Sequence, residues 1–542
     1  MKKIWTRWLV FALCVSVLSL PAGGAAETPT GAPMEIGLFY GDTALVAANL
    51  ENEENSGYSM GYTDGQGQFF SLGYTGETKI TMLKTHNIYR KGSTYSTNAE
   101  EGSDGVIGCY HLQVGAGYGS FDGALAAAAN YPDGFPAFVD GQYSVRVGSY
   151  TSKENAEAAR NSRKLPNAEV VGTSAYGIDV VRTGTDTILF QYDRGAGNPL
   201  TLRPGLDEGK KAVTWFKGYR YFGDFRYERR GGKNLTVVNV VNMEDYINCV
   251  ISQEMSDSWP LEALKAQAVC ARTYAERNRD RHGRDGFDLC ATVDCQAYPG
   301  VGRIGENTAQ AAAETKGLHV WYGEELANTF YYASNGGASE NSEHVWNSAI
   351  PYLVGKEDPY EAYLADRIPN YTWSKTFTAA QLAELLRSRG YQCGDIVDFQ
   401  ATEVSPTGNV VTVTFTDSAG KNYSFSKEKY TRIMLGTRSI NYTIVDGDEY
   451  TVDDSGKTLD TLNGVYVMGG DGVAVPLGEE LPFYITEEGV QQFPPPVDSY
   501  TLHGSGWGHC VGMSQWGAYS MAEQGKTFDE ILTFYYTGVT LH

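Results

Sequence analysis

Glu254 falls on the apolar side of a helix. The periodicity predicts a helix near Asn242–Met255, on which Ile247, Val250, Ile251 and Glu254 recur at i, i+3, i+4 and i+7 and share one face. A carboxyl group there is either paired or has its pKa raised by desolvation. A raised pKa suits a general acid that must hold its proton at neutral pH, as glycosidic cleavage requires. The competing reading is a structural glutamate bonded to nearby backbone or to Arg272. A second group comprises His282, Cys290 and Cys295. Two thiolates and an imidazole are zinc-type ligands with a fourth position free. In an exported protein Cys290 and Cys295 could equally form a disulfide. The third candidate is His509, in the run GWGHCVGMSQ. Gly508 and Gly512 suggest close backbone approach, with His509 lining a cleft beside Gln515; a structural histidine in a Gly-rich turn is the plainer alternative. The chain has no Walker loop, dinucleotide fingerprint or HExxH motif. Gly512-Met-Ser-Gln-Trp-Gly517 is one residue too long for a nucleophile elbow.

The elements around Glu254 must hold it still. A strand over Leu235–Val241 leads into its helix. A second helix is expected to start after Ser258 as cap, with Pro260 in its first turn and Glu262 complementing the helix dipole. Leu261, Leu264, Ala268, Ala271 and Ala275 form its narrow apolar seam, fit for close packing against the helix that bears Glu254. Glu244 and Glu262 read as structural first-turn acids. The fold class is α+β and multidomain, with a helical core flanked by β-rich regions. A β-rich region is expected over 34–139, from short apolar runs between Gly, Asn and Asp turns. A strand–helix–strand unit follows over 141–198: Tyr143–Tyr150 alternates at period two, Ser152 caps a helix over Lys153–Leu165, and a strand covers Tyr176–Val181. The remainder, 200–542, holds the chemistry. Within it 370–490 is a β-rich section with one helix over Ala379–Arg389, and Phe493-Pro-Pro-Pro-Val497 is an extended linker.

The chain of 542 residues is 42% hydrophobic and 20% charged, a globular composition. Its 63 Gly and 37 Tyr suit turn-rich β-structure and, equally, carbohydrate recognition. A formal charge of −22 argues against a nucleic-acid partner. Lys2, Lys3 and Arg7 precede an apolar run over Leu9–Leu20 and a small-residue stretch to Ala26. This predicts a secretory signal peptide over 1–26, with no membrane anchor after cleavage. Cleavage would remove Cys14 and leave an odd number of cysteines, so at least one thiol stays outside intramolecular disulfides.

Four blocks in order resemble the SpoIID/LytB domain family. They are EDYINCVISQEMSDSWPLEALKAQAVCARTYA, CATVDCQAYPG, YYASNGGASENSEHVWNSAIPYLVG and GSGWGHCVGMSQWGAYSMAEQGKTFDEILTFYYTG. The opening MEIGLFYGDTAL looks like that of long members. The resemblance implies a secreted peptidoglycan lytic transglycosylase of cell-wall remodelling or sporulation. Such an enzyme cleaves the MurNAc–GlcNAc bond without water, leaving a 1,6-anhydro product, so one carboxylic acid can serve as acid and base, in contrast to the two-carboxylate pattern. It assigns Glu254 as that acid, and Ser339 and Tyr352 as sugar contacts. Some members carry a structural zinc at positions matching His282, Cys290 and Cys295. The family usually has Gly where this chain has Cys510. Some relatives are non-catalytic enhancers of a wall amidase, which is the alternative function. The phrase VRVGSYTSKENAEAAR makes 141–198 resemble a SPOR module, which implies binding to glycan strands.

Overall fold

The computed structural model describes residues 31–542, apart from 54–56, 66, 100–101, 206–210 and all but short strands within 447–498. The expected signal peptide and the Phe493–Val497 linker lie outside the described residues.

Two large sheets dominate the first half. The strand Met34–Phe39 alternates inward residues, with Met34 and Ile36 fully buried. It lies between Thr236–Val241, to which it runs antiparallel, and Leu289–Cys290, which it meets in parallel. The seven-stranded sheet continues through Asp224–Glu228, Leu200–Pro204, Tyr58–Thr63 and Phe69–Thr75. The strand that leads into the Glu254 helix is therefore paired on one side with the chain's first described strand. A division at 200 between a β-rich region and a catalytic region does not match this pairing. Long-range strand exchange, invisible to local periodicity, interleaves the two segments.

The second sheet has ten strands and begins Glu169–Gly172, Tyr110–Tyr118, Gln142–Tyr150, Gly134–Val139 and Ile188–Asp193. The boundary expected between 139 and 141 falls on the turn of a hairpin that pairs Val139 with Gln142. Asp140 and Gly141 both take positive φ there, 50° and 82°. That is the Asp-Gly two-residue turn that matches strand twist. With the helices Phe121–Ala128 and Lys153–Ser162, residues 110–172 form a β-α-β-β-α-β unit. The expected strand–helix–strand segment is its second half. Ser152 caps the helix as expected, accepting from the Asn155 N–H. The strand Ile178–Arg182 lies in the same ten-stranded sheet but outside this unit, between Ile188–Asp193 and Lys79–Lys84.

A buried polar network joins the unit to the strands beside it in the same sheet. Gln191 donates to Asp179 Oδ1 at 2.6 Å and to His111 Nε2 at 3.0 Å, and accepts from Arg146. His111 Nδ1 lies 2.7 Å from the Gly148 carbonyl. Burial pushes His111 down to about 3 and Asp179 up to about 7, so the imidazole is neutral and able to accept from Gln191.

The helical core forms the second layer of the molecule. The helix Leu261–Arg277 lies at its centre, and Leu264, Ala268, Ala271 and Ala275 are fully buried. Its small side chains let Met243–Glu254, Glu306–Glu314, Gln515–Glu523 and Phe528–Tyr535 pack against it. Pro260, rather than Ser258, occupies its N-cap position. The Ser258 hydroxyl instead meets Ser256 Oγ at 2.9 Å. From Thr372 to Asp446 the chain is β-rich and has a core of its own around Phe399, Val413 and Phe415. It returns through Ser499–Ser505, which pairs with Thr372–Thr378.

Candidate functional site

Glu254 is the last residue of the helix Met243–Glu254, whose N-cap Asn242 accepts from the Glu244 N–H. Arg272, the cation that could have neutralised Glu254, is committed elsewhere. Its Nε and Nη2 donate to the Glu244 carboxylate at 3.0 and 2.6 Å, and it also reaches the carbonyls of Leu318 and Ala312 at 3.3 Å. Among the described residues no Lys or Arg forms an ion pair with Glu254. What faces its carboxyl is uncharged: Gln515 Nε2 donates to Oε2 at 3.3 Å, and the Tyr331 hydroxyl also interacts with it. Burial raises the Glu254 pKa above the usual carboxylate value, and the bonds from Gln515 and Tyr331 offset part of that rise.

These two donors are themselves held. Gln515 also reaches Gln267 Oε1 at 3.5 Å. Tyr331 accepts from Gln296 Nε2 at 3.3 Å, and Gln296 accepts from the buried Tyr246 hydroxyl at 3.1 Å. Gln515 starts the helix Gln515–Glu523, capped by Ser514. Ser514 in turn donates to Glu361 Oε2 at 2.5 Å. Glu361, fully buried, also accepts from Ser334 Oγ, from Asn335 N at 2.9 Å and from Gly336 N at 3.0 Å. One carboxylate thus ties the Asn335-Gly-Gly337 turn to the cap of the helix that presents Gln515. Sequence reasoning missed Glu361, Tyr331, Gln296 and Gln267. Their positions follow no local period, and only the tertiary contacts gather them around Glu254.

The structure brings the Cys–His group together and adds a member. His282, Cys290, Asp294 and Cys295 bring one ligand atom each to within 4.8 Å of one another. His282 Nε2 is buried without a hydrogen-bond partner, while Nδ1 lies 3.1 Å from Asp285 Oδ2. The cysteines stand as separate thiols rather than a disulfide. The Cys290 Sγ, close to Cys295 and 3.2 Å from Thr292 Oγ1, is held down to about 4, whereas Cys295 is pushed up. One sulfur, one imidazole nitrogen free of other bonds, a second sulfur and a carboxylate form a donor set that fits zinc.

The other expected residues have different surroundings. The Ser339 hydroxyl is buried and accepts from Lys356 N at 3.1 Å, tying the turn after Gly337 to the segment at 356. Tyr352 is buried, its hydroxyl accepts from Asn328 N at 2.7 Å and its ring lies 5.0 Å from that of Tyr322. Both hydroxyls bond backbone in this structure. His509 sits in a cage of Tyr332, Trp346 and Phe330, at 5.2, 5.1 and 6.5 Å between ring centres. Its Nδ1 accepts from Val511 N at 3.1 Å, and burial lowers its pKa to about 4, so it is neutral near pH 7. Cys510 is a buried free thiol at φ +63°, a left-handed position consistent with the glycine usual in the family.

Comparison with known proteins places a match where this geometry lies. The Stage II sporulation protein (SpoIID) family model covers residues 231–322, which include Glu254 and the whole Cys–His–Asp group. The amidase enhancer of Bacillus subtilis (strain 168) is 32% identical over 311 residues, 54% of this chain and 39% of that protein. The chain therefore spans well under half the length of that relative. Stage II sporulation protein D of the same strain is 28% identical over 323 residues, 57% of this chain and 76% of its own length. An uncharacterized protein of Brachyspira hyodysenteriae is 29% identical over 331 residues, 60% and 73% of the two chains. Each of the four sequence blocks contributes a side chain to the surroundings of Glu254, and residues 231–322 match the Stage II sporulation protein (SpoIID) family.

Proposed function

We propose that the chain is a peptidoglycan lytic transglycosylase that works outside the cytoplasm, with Glu254 as its acid and base. One observation carries this reading: a half-buried carboxyl bonded to an amide and a phenol, with the buried Arg272 bound to another acid. Such a group stays protonated at a pH where ordinary carboxylates are ionised. Protonated Glu254 donates to the leaving GlcNAc oxygen as the bond from MurNAc C1 breaks. The resulting carboxylate then accepts the proton of the MurNAc 6-hydroxyl as that oxygen bonds to C1, which closes the anhydro ring and restores the acid. No water is consumed. Gln515 and Tyr331 orient the carboxyl, and the Glu361 network keeps Gln515 in place.

Zinc bound by His282, Cys290, Asp294 and Cys295 would have a structural role, fastening the edge strand Leu289–Cys290 to the loop that carries Gln296. Metal analysis of the purified chain and of its Asp294→Asn form reads this directly. The β-α-β-β-α-β unit at 110–172 suits a second glycan contact that prolongs residence on the wall. No helix among the described residues is long and apolar enough to cross a membrane.

A second reading has specific support: the amidase enhancer at 32% identity. Mass spectrometry of muropeptides released from purified peptidoglycan separates the two. Anhydro-muropeptides from the native protein and none from Glu254→Gln support the transglycosylase. No release by either form, with faster digestion by an added wall amidase, supports the enhancer instead.

A further inference from the structure

Three cavities adjoin along one side of the β-rich section. The first, about 180 Å³, is walled by Trp507 and Trp516 and floored by Ser334. It shares Asn370 with a second of about 220 Å³, lined by Arg438 and Lys375. Trp373 and its neighbours lead from there into a third of about 610 Å³, bounded by the strands Thr372–Thr378, Tyr442–Asp446 and Ser499–Ser505. The run begins beside the Glu254 site. Trp516 follows Gln515 in sequence, and its ring lies 4.8 Å from that of Trp259, five residues beyond Glu254.

Its lining carries donors without acceptors. Arg438 Nη1 is buried and has no hydrogen-bond partner, and among the described residues no carboxylate pairs with its guanidinium. The indole N–H of Trp373, itself 9% exposed, is likewise unpaired. Lys375 differs, since its ammonium donates to the carbonyls of Leu435 and Gly436 at 2.8 and 3.1 Å. Buried donors left unmet are costly, and when they line open space they call for an outside acceptor. The aromatic rings set the shape of that partner. Trp507 is half exposed, and the Arg438 guanidinium stacks over it at 5.0 Å. An amphipathic ring lies flat on such an indole while its substituents reach the donors alongside. In a chain of formal charge −22, an uncompensated arginine in a cavity favours an anion locally against the field of the whole molecule.

We propose that the three cavities are one groove for an anionic N-acetylated glycan strand. Sugar faces stack on Trp507, a glycan carboxylate pairs with Arg438, and an amide carbonyl takes the Trp373 N–H. This deepens the transglycosylase reading and rests on its substrate class. It extends the substrate path from the Glu254 site onto the β-rich section.

The test uses the full chain carrying Glu254→Gln, so that bound strands are not cut. The ligands are glycan strands freed of stem peptides, and the same strands with their carboxylates reduced to alcohols. Adding Arg438→Gln should weaken binding of the native strands about tenfold, the size of one lost charge-assisted bond. Binding of the reduced strands should change less than about twofold, which also reports an intact fold. Trp507→Ala should weaken both. Unchanged affinity of Arg438→Gln for native strands, or equal loss for the two ligands, overturns the groove. Cleavage assays stand apart from this test: no anhydro product from the Glu254 protein removes the chemistry and leaves the binding result to decide the groove.

Discussion

Replacing Arg272 by alanine should be among the most damaging changes in the helical core, although Arg272 touches no candidate substrate residue. Its side chain is 1% exposed and paired with a Glu244 carboxylate that is 24% exposed. It also supplies donors to the Leu318 and Ala312 carbonyls. Breaking a buried pair from one side costs about 3–5 kcal/mol, because the other charge is left uncompensated. Partial exposure of Glu244 places the loss near the lower end, about 3 kcal/mol. For a cooperative unit of roughly 150–250 residues this corresponds to a melting temperature lowered by about 6–12 °C. Scanning calorimetry reads it. The double variant Arg272→Met, Glu244→Gln removes the stranded charge and should recover much of the loss. A single variant that melts within about 2 °C of the parent, or a double variant no better than the single, would show that the pair does not clamp the glutamate helix. It would also reopen Arg272 as a partner for Glu254.

Two further perturbations probe the other buried networks. Asp179, held up at about 7, stabilises the fold most at low pH and loses that contribution as pH rises towards 7; His111, held down at about 3, does the opposite, gaining as pH rises from about 3 to 6.5. Asp179→Asn leaves the imidazole unopposed, so melting temperature should climb from pH 4 to 6.5 more steeply than in the parent, and equal slopes would count against the network. Glu361→Gln turns an NH2 donor towards two of the four donors that the carboxylate accepts from, at a cost of about 1–3 kcal/mol. It should lower kcat for anhydro-muropeptide release by loosening Ser514 and Gln515, and an unchanged kcat in folded protein would limit Glu361 to a structural role.

The sequence by itself determined the helix that presents Glu254. Its register follows from Ile247, Val250 and Ile251 sharing a face, and that face must be buried whatever the rest of the chain does. The cap at Ser152 was legible for the same reason: short spacing fixes geometry. The domain boundaries were not. The Asp140-Gly141 turn carries a hairpin signature, yet what crosses it became plain only when Gly134–Val139 was seen paired on both sides. The strand Met34–Phe39 gives no local sign that its neighbours will be Thr236–Val241 and Leu289–Cys290.

Only the tertiary structure decided whether Glu254 could be an acid. Burial was readable from period alone, but its consequence depends on charge compensation, and Arg272 lies eighteen residues away on another helix with two glutamates to choose from. The pairing with Glu244 leaves Glu254 facing Gln515 and Tyr331. Asp294 joined the Cys–His group in the same way, since loop conformation rather than spacing brings its carboxylate round. Patterns within one element express the period of that element. The protonation state of a buried group is set by which side chains from distant elements meet it, and those are chosen by packing.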